Sequence, residues 1–368
     1  MRGVAAIVAG LALLGDAHAA DLSEMVRDLN VIQNRMVTGD GMARDLAARQ
    51  FDLIEKTIAA VEPDEWGTER IQRAVIIYLL CGGAPAGLRE IHEAEFDAGK
   101  LGPLLGASIE YAEGRDGGVP KPILDIDARH LSPMLGGHLA LVQGSALTGE
   151  NNARAIELFD LARLFMPGSL VEEAALRREI AILDPVRDVG KVSLLSARYV
   201  SKYSASPYAP NFWDVLRRAT IADPNFLPRA SQFEPIFAKG PSGERAAFYL
   251  TVSRLEILAG DFDQARRTLD KAAQAATHPS TVKKIALYRG LLAALMQDGG
   301  APALTAEEIA RLDKQDSALF GIASSVTTGL AVRAQPPATP TEDSYEMAAT
   351  VRQAIAKSDE LLKRADPQ

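Results

Sequence analysis

The chain has 368 residues, 47% of them hydrophobic and 24% charged, with a formal net charge of −8. An acidic chain without a basic stripe argues against nucleic acid and against anionic membrane surfaces as partners. Cys81 stands alone, which excludes an intramolecular disulfide, so stability has to come from packing an Ala- and Leu-rich core.

At the N-terminus, Met1-Arg2 gives a short basic start and Gly3 to Gly15 (GVAAIVAGLALLG) is an unbroken run of apolar and small residues. Ala17-His18-Ala19 then supplies a small-x-small cleavage pattern ahead of a polar stretch. The run is shorter than the roughly 20 residues that a spanning helix needs. It reads as a cleaved secretory signal, residues 1–19, with the mature chain starting near Ala20 in the periplasm. Arg2 and Asp16 would leave together, so the net charge would not change.

Beyond the leader, helical periodicity holds almost everywhere. Leu22, Met25, Val26, Leu29, Ile32 and Met36 recur at spacings of three and four, and Gly39-Asp40-Gly41 ends that stripe. Leu46, Leu53, Ile54, Ile58 and Val61 form a second stripe, closed by Pro63. Asp64 or Thr68 can cap a third helix carrying Ile71, Val75, Tyr78 and Leu79, stopped by Gly82-Gly83. A short helix comes after Pro85 (Leu88, Ile91, Phe96), and another runs from Leu104 to Ala112. Residues 20–114 therefore read as an N-terminal helical bundle, and a loop at 115–124 separates it from the helices beyond residue 125.

From residue 125 to 330 the pattern is that of stacked helix pairs. Ala155, Phe159, Ala162 and Pro167 fall at offsets 0, 4, 7 and 12, and Ala265, Leu269 and Ala272 repeat the first three offsets after Gly260. These spacings resemble the second helix of a tetratricopeptide repeat, in which small residues let two helices approach and a bulky one fills the groove. The helices Gly137 to Leu147 and Glu244 to Leu258 fit as partners, and Ala197, Tyr199 and Tyr203 belong to a looser unit between them. The predicted fold is all-α, an N-terminal helical bundle followed by tetratricopeptide-like helix pairs. Residues 331–344 (VRAQPPATPTED and neighbours) form a Pro-rich linker, and 345–368 an amphipathic helix with Tyr345, Val351, Ile355 and Leu362 on one side.

Signals for chemistry are sparse. His92, His130, His138 and His278 stand in no HExxH and no Cys/His pattern with zinc spacing, so no metal or cofactor is expected. The chain has no GxSxG, GxxxxGK[ST] or strand-borne GxGxxG motif. Gly114-Arg115-Asp116-Gly117-Gly118 lacks flanking elements to aim its amides, and Asp125 and Asp127 have no third group in view. Cys81, at the end of an apolar helix, reads as a small core residue. No catalytic residue is assigned, and the expected activity is binding, since helical-repeat arrays build grooves for a partner's segment. Tyr203, Tyr208, Phe212 and Trp213, gathered around two prolines, are the candidate partner-binding residues; closing one helix pair onto the next is their alternative role.

Four stretches together carry a family resemblance: LNVIQNRMVTGD, RAVIIYLLCGGAP, LDIDARHLSPMLGGHLALVQGSAL and YVSKYSASPYAPNF. In order and texture they resemble the MotC family, periplasmic motility proteins of rhizobia and related alphaproteobacteria, from about Leu29 to about Phe212. The resemblance implies a protein needed for flagellar rotation that binds and stabilises, in a chaperone-like manner, the periplasmic part of the stator protein MotB. It implies no catalytic residue. A periplasmic helical-repeat adaptor of another envelope system is the alternative reading, and an enzyme would need a polar pocket with perturbed carboxylates or histidines.

Overall fold

In a computed structural model the described backbone covers residues 4–88, 100–114, 117–223 and 225–296, with short helical stretches between 309 and 325; side chains are described from Asp21 onward. Among the described residues every regular element is helical and there is no strand, as the periodicity predicts. His92, Ile91, Phe96, the linker at 331–344 and the helix expected at 345–368 lie outside the described residues. The chain divides into two compact units, Met1–Phe248 and Tyr249–Gln368, so the loop expected at 115–124 lies inside the first.

The first unit starts with α1 (Val4–Val37) and α2 (Ala43–Ala59), an antiparallel pair joined by the Gly39-Asp40-Gly41 turn. On α1, Leu22, Val26, Leu29 and Val37 are buried, and Ile54 and Ile58 of α2 share one core with the first three. Helix α3 (Glu69–Leu80) starts at Thr68, whose side chain makes no capping bond, and packs on α1 and on α4 (Gly102–Glu113). The short α5 (Lys121–Asp125) leads into the array.

The array is built from α6 (Pro133–Leu147), α7 (Asn152–Phe165), α8 (Leu170–Ile182), α9 (Val189–Tyr203), α10 (Ala209–Ala219) and α11 (Ala230–Phe237). Local chemistry fixes the starts. Asn151 caps α7 by accepting from the Arg154 amide at 3.1 Å, and Ser169 caps α8 by accepting from the Glu172 amide at 3.2 Å. Such caps each stabilise by about 1 kcal/mol. α8 runs antiparallel to α7 and α9, since Glu179 near its end meets Arg163 and Lys191 while Glu172 near its start meets Tyr203; α8 adjoins both α6 and α10, and α9 adjoins α11. α6 and α7 approach closely, because Gly144 faces Phe159: a Cβ there would stand 2.8 Å from the ring.

The small-residue offsets mark real contacts. Ala155, Phe159 and Ala162 are fully buried, as are Ala265, Leu269 and Ala272 in the second unit. That unit continues from α12 (Ser242–Ala259), within which the boundary falls, to α13 (Phe262–Ala275) and α14 (Pro279–Leu295), and these share one core. Enlarging Ala162 or Ala272 to Leu is expected to overpack the helix contact and cost roughly 1–3 kcal/mol, read from denaturation midpoints.

The N-terminal helices do not stand apart from the array. α1 packs on α8 and α3 on α6, and one continuous apolar core runs from Leu22 to Ala175. Much of the layer holding α6 and α8 is therefore covered by the chain itself. Among the described residues, α7 and α9 carry exposed side chains that include Leu164, Leu194, Arg198 and Lys202.

Candidate functional site

The four aromatic candidates sit where α9 turns into α10. Pro210 stands in the first turn of α10, where its missing amide hydrogen costs nothing. The ring of Phe212 stacks on Tyr199 at 3.9 Å between centroids, and Trp213 meets Phe212 edge-on at 5.0 Å and Phe237 of α11 at 5.7 Å. Tyr203, Phe212 and Trp213 are buried. These three rings close α8, α9, α10 and α11 onto one another, so a partner cannot reach them without opening the core. Tyr208 differs: it is 38% exposed, and the Arg177 guanidinium lies 5.0 Å over its ring. It alone of the four offers a surface.

Beneath these rings lies a polar system that sequence periodicity does not reveal. Glu172, Glu173 and Glu179 of α8 are fully buried. Glu173 accepts from the Tyr199 hydroxyl (2.6 Å), from Nε of Arg177 (2.9 Å) and from the Ser206 hydroxyl (3.3 Å). Glu172 accepts from the Tyr203 hydroxyl (2.7 Å), the Gly168 amide and Arg198. Burial works to raise the Glu172 carboxyl, but Arg198, the Gly168 amide and Tyr203 outweigh it and hold it below the usual carboxylate range. Glu179 pairs with Arg163 of α7 (3.1 Å) and Lys191 of α9 (2.7 Å), and burial keeps its carboxyl above that range. One helix thus ties α7, α9 and the turn after α9 through three carboxylates. The run Glu172-Glu173…Glu179 on a helix otherwise rich in Ala and Leu was the available sign.

A shallow open groove of about 260 Å³ lies where the α1–α2 turn meets the α9–α10 turn, lined by Met36, Gly39, Asp40, Gly41, Arg44, Asp45, Ala205 and Pro207. Gly39 has φ +97°, and a Cβ on it would stand 2.7 Å from that of Ala205, so only glycine allows this approach. Asp40 is held by Arg35 at 2.6 Å and below the usual carboxylate range by that bond and the Met42 amide.

The remaining sequence candidates have local structural work. Asp127 caps a short turn and pairs with Arg129, which holds its carboxyl well below the usual range; the exposed His130 lies 3.5 Å away. Gly114 ends α4 in the left-handed conformation. His278 caps α14 by accepting from the Ser280 amide. His138, on α6, is buried; its Nε2 donates to Oδ1 of Asn30 on α1 at 2.9 Å, and the Cys81 sulfur lies 3.5 Å from the same nitrogen. Burial pushes the Cys81 thiol up to about 12 and lowers His138 to about 4, so both are neutral at pH 7. This is an uncharged seam, not an activated thiolate–imidazolium pair. Among the described residues, no group of three or more His, Cys, Asp or Glu is placed to hold a metal ion.

The His138 seam makes stability depend on pH. The unfolded chain takes up this proton near pH 6.5 and the folded chain only near 4. The contribution is therefore complete above pH 6.5 and lost progressively as pH falls to 4, a loss of roughly 3 kcal/mol. Denaturation of wild type and His138→Gln at pH 7 and pH 4 checks this: the variant is expected to lose less on acidification.

The family model described as "Chemotaxis protein MotC" matches residues 2–367 of the chain. The chain belongs to the MotC family. A relative, "Chemotaxis protein MotC" of Rhizobium meliloti (strain 1021), is 27% identical over 331 residues, covering 87% of this chain and 76% of that protein. No solved structure matches. The stretches that resemble the MotC family are brought together in the first unit. Asn30, Cys81 and His138 come from three of them and meet at the α1–α6 seam, and Gly39 meets Ala205 of the fourth.

Proposed function

We propose that this protein works in the periplasm, where it binds the periplasmic region of the stator protein MotB and stabilises it for flagellar rotation. The match to the MotC family from residue 2 to residue 367 carries this reading. One further observation supports it: the apolar run Gly3 to Gly15 followed by Ala17-His18-Ala19 has the form of a cleaved secretory leader. Among the described residues, no helix is long and apolar enough to cross a membrane.

The reading is tested by deletion and by capture. A deletion strain is expected to assemble filaments yet fail to swim, because torque generation fails while export continues. The purified chain, beginning near Ala20 by mass, is expected to bind a periplasmic MotB fragment. Normal swimming of the deletion strain, or no binding of that fragment, would overturn the proposal.

A further inference from the structure

Among the described residues, the two most exposed large apolar side chains are Leu164, at 73%, and Leu194, at 68%. Scattered singly such residues are ordinary, but these two are placed together. Asp160 of α7 and Lys191 of α9 form an ion pair at 2.9 Å. Two short turns separate α7 from α9, so both helices run in the same direction. Leu164 is one turn beyond Asp160 and Leu194 one turn beyond Lys191, so the two exposed leucines stand on adjacent turns of neighbouring helices.

From Leu194 the outward face of α9 continues through Arg198 and Lys202 to Ala205 at the rim of the groove, in steps of four, four and three residues. At 1.5 Å per residue the strip is about 16 Å long, or three helical turns. α9 contains no acidic residue. Arg198 and Lys202 share one carboxylate, Glu172, which is fully buried beneath them, so this stretch of α9 sets two half-exposed cations over one buried anion.

We infer that this strip is the docking surface for the stator, and that it takes an amphipathic acidic segment with two apolar anchors. One anchor lies against Leu164 and Leu194, the other enters the groove at Gly39, Ala205 and Pro207, and carboxylates between them face Arg198 and Lys202. The apolar ends supply affinity, while the charges in between set register and speed association. The inference rests on the proposed binding of MotB and specifies its site.

The test measures affinity of the full mature chain for the periplasmic MotB fragment at low and high salt. Leu164→Ser/Leu194→Ser is expected to bind at least tenfold more weakly, with an unchanged denaturation midpoint because both side chains project into water. Lys202→Gln is expected to bind more weakly at low salt and to converge with wild type at high salt, where screening removes the difference. Leu164→Met/Leu194→Met is expected to retain binding. Wild-type affinity in the serine double variant, with the fragment bound, would overturn the strip and leave the functional reading intact. Absence of binding by wild type would overturn both.

Discussion

Trp213→Ala is expected to destabilise the first unit by about 3–5 kcal/mol, the usual cost of deleting a large buried ring. The indole touches Phe212 and Phe237, and Gly240 leaves room for its far edge, so no neighbour can collapse into the space without a backbone shift. Tyr208→Ala, five residues earlier, is expected to cost no more than about 1 kcal/mol, the scale of its exposed stack with Arg177. Urea denaturation followed by circular dichroism checks both. The chain has two compact units, so the loss belongs to the transition of the unit that contains Trp213. An unchanged midpoint in Trp213→Ala would mean that the ring does not close these helices together. The pair also separates folding from binding, because only Tyr208 offers a ring to a partner.

Glu173→Ala is the second large effect, expected at about 3–5 kcal/mol. The substitution leaves the Tyr199 hydroxyl and the Ser206 hydroxyl without their acceptor in the core, and leaves Arg177, largely shielded from water, without its counter-charge. Breaking a buried pair from one side costs this much because the remaining charge cannot regain its water. Tyr199→Phe removes one donor and keeps the pair, so it is expected to cost only about 1 kcal/mol. The same denaturation measurement compares the two, and equal losses would show that the carboxylate contributes no more than one ordinary hydrogen bond.

The amino-acid sequence by itself determined many of the helices, their breaks and the small-residue contacts, although Lys121–Asp125, in the stretch expected as a loop, is a short helix. Leu22, Val26 and Leu29 mark the buried stripe of α1 at 3.6-residue spacing, Gly39 marks its end, and Ala155, Phe159 and Ala162 mark a face that must meet another helix. These are local facts: periodicity says which side of a helix is apolar, and a glycine says where the chain can turn. Four short stretches also carried the family. Only the tertiary structure decided what each face meets. Periodicity cannot tell that the covering of α6 and α8 is α3 and α1, because pairing is set by residues more than a hundred positions apart, as Asn30 with His138 shows. Nor can it tell that Tyr203, Phe212 and Trp213 face inward while Tyr208 faces water, since an aromatic cluster looks the same at an interface and in a core. The carboxylates of α8 can stay buried because α9 supplies Arg198, Tyr199 and Tyr203. A charge is stable inside a protein only when its partners arrive from elsewhere in the chain, and that arrival is a property of the fold.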